Sequence, residues 1–399
     1  MNTNRFTLFL VFFMLLSPQV YSTENRIVGS DEVTGTAHAV VVDDKVLAHT
    51  TQLLPLDKDG KIAATDVSGQ VKQVVANLEV VLAEVGSSVE EIARLNVYVA
   101  KNELADEVRQ ALARELFKKV TPAVTLVVTA LADSKALVAM DAIAAVPGSD
   151  AAVVELASSD KLGGEYGTAH VSLLPRGRVV YISGMAERAE ELGAATTGTM
   201  GQLHGVLKLL GLEAEHVVHV KVFMKPMADV AESRAAIQAV YAGQMCPPIS
   251  FVEWTNGLPA EIEMVAYLPG DAEEGATVAH RWQPDEKRSP VYCRFAVVDS
   301  PVRIYVAGLM SRTVADAEGQ VRDLFSQLEN ILDQSGSDLR QMAKATYYVA
   351  DDGVSKALNV VRPEVYDPKR PPAASKASIA GTGDEERPIV VDMIAVPKE

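Results

Sequence analysis

The 399-residue chain has two cysteines, Cys246 and Cys293, and neither belongs to a Cys-x-x-Cys pair or a catalytic signature. That is too few thiols for a disulfide framework, and nothing in their spacing shows that the two meet. Basic charge is also scarce, with Lys plus Arg at 37 against Asp plus Glu at 53, a net of −16. The deficit opposes binding to nucleic acid or anionic lipid through a broad cationic face. No Gly-rich phosphate loop, nucleophile elbow or zinc-ligand spacing stands out, and no cofactor is implied. The one His-x-x-His pair is His216 and His219. A strand would turn those two rings to opposite faces, so no metal site is expected.

Long apolar runs are limited to residues 6–16. Eleven residues are too few to cross a bilayer as a helix. With Arg5 before the run, Ser17-Pro18 after it and Val20-Tyr21-Ser22 as a cleavage site, residues 1–22 read as an export leader. The mature chain is expected to start near Thr23 and to be periplasmic or secreted, with no membrane association once the leader is removed.

What is present is a threefold repeat. Residues 70–100 combine an apolar helical stripe (Val71, Val74, Val75, Leu78, Val81, Leu82, Val85), a glycine stop at Gly86 and an alternating strand over 92–99. The same grammar returns at 202–224 and 320–349. The stops Gly86, Gly211 and Gly336 are 125 residues apart, and Pro122, Pro247 and Pro372 follow each by 36. Two landmarks in register through three copies mark a triplicated domain. The boundaries are read as 1–22 leader, 23–148, 149–270 and 271–399.

Each copy reads β-β-α-β-α-β-β, an α+β unit. In the first, residues 37–42 and 45–50 are expected to form a hairpin about Asp43-Asp44. Residues 147–164 and 269–290 read as a loop and a linker. Helices on one face of a mixed sheet leave its other face apolar and in need of a partner.

The copies resemble the RidA family (YjgF, or L-PSP endoribonuclease-like proteins). The matching stretches are Val180-Tyr181-Ile182-Ser183-Gly184, the helix with Gly86-Ser87-Ser88-Val89-Glu90, Leu95-Asn96-Val97-Tyr98-Val99, and the Pro-Ala-x-Ser/Thr strand entry. The resemblance implies a chorismate-mutase-like fold, three sheets around a central barrel and clefts between units. In one chain this becomes a covalent, monomeric pseudo-trimer.

Active members of the family hydrolyse enamine and imine acids, gripping the substrate carboxylate with an arginine after Pro-Ala. That position here holds Val124, Ile249 and Ala374, none of which can make two charge-assisted bonds to a carboxylate. The family's cysteine is replaced by Leu126, Phe251 and Lys376. On the last strand, Asp141, Glu263 and Asp392 match the family's water-holding glutamate and are the candidate catalytic acids. Hydrogen-bonded structural carboxylates are the alternative. Thr125, Ser250 and Ser375 at the strand entry, and Ser183 and Gly184, are candidate ligand contacts. So are His38 and His170 in the repeated Gly-Thr-Ala-His and Arg294 in the third copy, the last as a substitute anion anchor.

Two functions follow. One is an exported, non-catalytic protein whose inter-repeat clefts hold an unidentified small molecule or a partner. The other is an imine or enamine deaminase that uses Asp141, Glu263 and Asp392. The differing residues of the three clefts indicate that they are not equivalent.

Overall fold

The computed structural model describes residues 25–31, 34–271 and 277–398. Residues 1–22, read from the sequence as an export leader, lie outside the described residues. Repeat 1 comprises β1 (Arg26–Asp31), β2 (Thr36–Asp43), β3 (Leu47–Thr50), α1 (Val67–Ala83), β4 (Ile92–Val99), α2 (Ala105–Glu115), β5 (Ala123–Val128) and β6 (Val138–Ala145). Repeat 2 follows with β7 (Glu155–Ala157), β8 (Val171–Leu174), β9 (Arg178–Met185), α3 (Leu192–Leu209), β10 (Val217–Met224), α4 (Val230–Val240), β11 (Ile249–Glu253) and β12 (Ala260–Leu268). Repeat 3 contains β13 (Val278–Arg281), β14 (Phe295–Val298), β15 (Val302–Leu309), α5 (Ala317–Gln334), β16 (Met342–Val349), α6 (Asp352–Val365), β17 (Ala373–Ser378) and β18 (Ile389–Ala395).

The long helices form where the apolar stripes are. In α1, Val71, Val74, Val75, Leu78, Val81 and Leu82 are buried, and Asp66 caps the N-terminus by accepting from the Gly69 N–H at 2.8 Å. The three stop glycines have φ of 75°, 70° and 80°, a left-handed conformation that glycine adopts without a Cβ penalty. Immediately after them, the N–H groups of Ser87, Leu212 and Ser337 reach back to the carbonyls of Leu82, Leu207 and Leu332 at 2.9, 2.9 and 2.7 Å. The same closure thus ends all three helices.

The expected hairpin is not formed. β2 does not pair with β3; it pairs antiparallel with β15 of repeat 3. In the same way β8 of repeat 2 pairs with β3, and β14 of repeat 3 pairs with β9. Asp43-Asp44 is therefore a corner at which the chain crosses between repeats, with the Asp44 N–H bonded to the Pro301 carbonyl at 3.2 Å. The crossing follows from alternation along the strand. Val171 and Leu173 of β8 join the helix-packed core of repeat 1, Phe295 and Val297 of β14 join that of repeat 2, and Ala39 and Val41 of β2 join that of repeat 3. The opposite-facing Leu174, Ala296, Val298, Val40 and Val42 enter one shared interior.

Each exchanged strand also touches the fourth sheet strand of its own repeat. Ala37 pairs with Ala123, Cys293 bridges to Ala373, and the Ala169 N–H donates to the Cys246 carbonyl at 2.7 Å. These links close the sheets into a barrel with the helices outside, which covers the apolar inner faces. The segments read as a loop and a linker also contribute strands: β7 and β13 pair with β8 and β14, as β1 does with β2. Cys246 and Cys293 are free and buried.

Because every repeat borrows a strand, repeat 1 alone (residues 25–148) lacks the β15 edge that ties β2 into a sheet and the β8 partner on the outer edge of β3. We expect it to self-assemble or remain unfolded. A folded monomer by light scattering and circular dichroism would contradict the exchanged closure.

Candidate functional site

The barrel interior is built in layers that keep the 125-residue period. Tyr98, Phe223 and Tyr348 are fully buried at one level. Asn96, Lys221 and Thr346 come next, then Arg94, His219 and Lys344. Asp141, Glu263 and Asp392 face these layers from the last strand of each repeat, paired with Asn96, Lys221 and Thr346. Together with His49 and Tyr181 they enclose a chamber of about 40 Å³.

Each acid reaches into another repeat. Asp392 of repeat 3 forms an ion pair with Arg94 of repeat 1. Glu263 of repeat 2 accepts from Lys344 Nζ and Ser375 Oγ of repeat 3, both at 2.5 Å. Asp141 of repeat 1 accepts from Ser250 Oγ of repeat 2 at 2.7 Å, and from its own Tyr98 at 2.5 Å and Asn96 at 2.7 Å. Here the third cationic position is taken by His219, whose Nε2 is 3.1 Å from Ser250 Oγ. The charge is supplied instead by Lys221, which donates to Tyr348 at 3.1 Å.

Burial raises the carboxyls of Asp141 and Glu263, but neighbouring lysines and donated hydrogen bonds outweigh it, and both end below the ordinary range. Burial takes the His49 ring down to about 3 and that of His219 to about 4, so both are neutral. The three acids are thus buried in structural bonds inside the barrel, and none lines the cavities at the repeat junctions. Ser250 and Ser375 belong to this network, and Thr125 Oγ1 accepts from the Gly308 N–H at 2.9 Å.

The junctions differ from one another. Between repeats 1 and 2 the space is about 20 Å³. Gln52 fills it from the place that Gly184 and Gly308 hold in the other repeats, and its amide bonds the Phe251 carbonyl at 2.9 Å. Between repeats 1 and 3 lies a cleft of about 410 Å³. Its walls are apolar (Leu112, Phe117, Val124, Leu126, Met310, Val390), and Arg109, Arg312, Arg387 and His38 are its basic groups. Beside the repeat 2–repeat 3 junction, an open groove of about 870 Å³ lined by repeat 2 carries Glu261, Trp254 and Lys225. Burial, followed by Glu263, pushes the Glu261 carboxyl up to about 7.

The remaining candidates separate. His38 is exposed in the repeat 1–repeat 3 cleft. His170 is buried, its Nδ1 accepting from the Ser159 N–H at 3.1 Å with the Tyr166 ring edge-on. Arg294 is not a free anchor, because its guanidinium forks onto Glu286, with Nε at 3.1 and 3.2 Å from the two oxygens. Ser183 Oγ donates to the Cys293 carbonyl at 2.6 Å and accepts from the Ala374 N–H at 2.7 Å. Gly184 is crowded by Glu261 and Ser375, so that a side chain there would overlap both. His216 caps a short turn through the Glu213 N–H, away from His219. Among the described residues no cluster of metal-binding side chains occurs.

Residues 35–146, 165–268 and 289–396 each match the family model described as Endoribonuclease L-PSP. The chain belongs to this family. Three of the solved structures similar to this L-PSP family chain show the same one-repeat coverage. A YjgF-family protein from Neisseria meningitidis is 20% identical, covering 31% of this chain and 96% of its own, at a TM-score of 0.24. A Rid-family protein from Yersinia pestis is 23% identical, covering 31% and 98%, at 0.28. Yeast Mmf1 is 18% identical, covering 31% and 96%, at 0.23. No curated relative matches the chain.

Arg94, Lys221, Lys344, Gln52 and Glu261 were not singled out as a site from sequence. The available signal was the period itself, which sets Arg94 and Lys344 level with His219 in strands that are otherwise apolar.

Asp392→Ala leaves Arg94 buried without its partner and should cost about 3–5 kcal/mol, whereas the pair Arg94→Met with Asp392→Leu should recover most of it. Urea denaturation midpoints decide between these outcomes. Since His49 and His219 titrate below the ordinary 6.5, the unfolded chain takes up their protons first. Stability should be full above about pH 6.5 and fall toward pH 4, by about 2 kcal/mol per ring at pH 5. His219→Gln should flatten that fall; an unchanged slope would show that this ring is not a proton site.

Proposed function

We propose that this L-PSP family chain is an exported, monomeric pseudo-trimer that binds a small organic anion in the cleft between repeats 1 and 3, without chemistry there. The observation that carries the reading is the composition of that cleft. It has the volume of a ligand pocket and an apolar body, with Val124 at the position of the family's anchoring arginine and Val390 in the wall. The basic groups are displaced to the rim. Arg312 donates from Nε to Gln327 at 2.9 Å, and Arg387 pairs with Asp384 at 2.5 Å. A guanidinium held by neutral or half-exposed partners can exchange them for a ligand carboxylate or phosphate. Export is supported by the leader pattern of residues 1–22 and is tested by the N-terminal sequence of the mature protein.

Thermal-shift and calorimetric titration with aryl and branched-chain carboxylates and phosphates test the reading. Binding should weaken about tenfold in Arg312→Ala and be lost in Leu126→Trp, which fills the cleft. Binding unaffected by both substitutions would sink it.

One observation favours a second reading, imine or enamine hydrolysis. Glu261, with its carboxyl near 7 in an open groove, has the environment of a general base. Asp141, Glu263 and Asp392 do not share that environment. Turnover of freshly generated imino acids that Glu261→Gln abolishes would establish this alternative.

A further inference from the structure

Triplication supplies two internal references for every position at the repeat 2–repeat 3 junction. Phe223 pairs with Glu261, Tyr98 with Ala139 and Tyr348 with Val390, so Glu261, Ala139 and Val390 are equivalent. By the same registers, Lys376 opposite Tyr347 is equivalent to Leu126 opposite Val97 and Phe251 opposite Val222. Each junction receives one residue from each set. The repeat 1–repeat 3 junction has Leu126 and Val390, both walls of its cleft. The repeat 1–repeat 2 junction has Phe251 and Ala139, both buried. In the remaining junction hydrocarbon is replaced at both positions, by an amine and an acid together.

The amine is not committed to an ion pair. Lys376 Nζ donates to Ser355 Oγ at 3.0 Å and to Asn359 Oδ1 at 3.1 Å, both neutral groups of α6. Among the described residues no carboxylate closes a salt bridge with it. Its backbone carbonyl accepts from Asn256, a wall of the same groove that Glu261 lines, at 3.3 Å. Burial lowers the amine below the ordinary lysine range, Arg362 acts in the same direction, and Glu261 opposes them. A lysine desolvated beside another cation acquires nucleophilic character, and an acid near neutrality can both give and take a proton.

We propose that Lys376 is an amine nucleophile that condenses with a small aldehyde or 2-oxo acid entering the repeat 2–repeat 3 junction, with Glu261 as the proton carrier. The Nζ lone pair forms the C–N bond while the carbonyl π pair moves to oxygen, which takes a proton from the Glu261 carboxyl. The resulting carboxylate removes a proton from the nitrogen and returns it to the hydroxyl, which leaves as water. Loss of water leaves an iminium whose remaining N–H proton returns to the Glu261 carboxylate, so the products are a Schiff base and one water, the Glu261 acid is regenerated, and no oxidant or reductant takes part. This chemistry is independent of ligand binding between repeats 1 and 3.

Incubation of the whole protein with pyruvate, and separately with glyoxylate, in the presence of cyanoborohydride near pH 7 tests the proposal by intact mass and peptide mapping. One reduced adduct is expected, on Lys376, absent from Lys376→Arg and formed roughly a hundredfold more slowly in Glu261→Gln. A thermal melt of Lys376→Arg equal to that of the parent shows that the loss is not unfolding. Adducts spread evenly over exposed lysines, an adduct that survives Lys376→Arg, or ligand binding without any adduct would each overturn it.

Discussion

Three carboxylates and three cations share the interior of the barrel, where an unpaired charge costs several kcal/mol. Asp392 finds Arg94, Glu263 finds Lys344, and Asp141 has Lys221 with the hydroxyls of Ser250 and Tyr98. Each acid makes a bond to a repeat other than its own. A repeat that drew away would strand a charge on both of its sides, so the ring of bonds couples the three units as one cooperative body. Strand exchange acts in the same sense, because each helix-packed core is completed by alternate side chains of a strand from another repeat.

Closure of this kind is ordinarily compatible with equivalent junctions, but a single chain can vary each copy separately. Here Gln52 plugs one junction, Val124 and Val390 line the second, and Lys376 with Glu261 mark the third. Part of the variation lies on the other side of the sheet strands from the interior network. Ser375 faces Glu263 inside, while its neighbour Lys376 reaches α6 outside. On this strand the structural bond and the amine are thereby divided between two faces, whereas on β12 Glu261 shares the face of Glu263 and also reaches Ser375.

The division explains which residues were legible. Asp141, Glu263 and Asp392 stand out in sequence as acids at equivalent positions of an apolar strand, and the resemblance assigned them to the clefts. Two positions earlier on the same strand lies Glu261, which has an acid in one copy alone and therefore left no periodic mark. Arg294 looked available because Glu286, its partner, falls in a stretch that reads as linker. The Asp43-Asp44 corner has hairpin chemistry, yet β2 went to β15 and β3 to β6 and β8, since the apolar inner face of each sheet needs its neighbours more than a local turn.

Local rules were sufficient for the helices, their glycine closures, the strand alternation and the period of 125 residues, because all of these depend on side chains a few positions apart. The family resemblance followed from the same stretches. The exchange of strands between repeats, the direction in which each buried acid finds its cation, and the different contents of the three junctions were decided by tertiary structure. Those properties pair residues 100 to 300 positions apart, and they are set by closing the barrel, a constraint that no window of sequence contains.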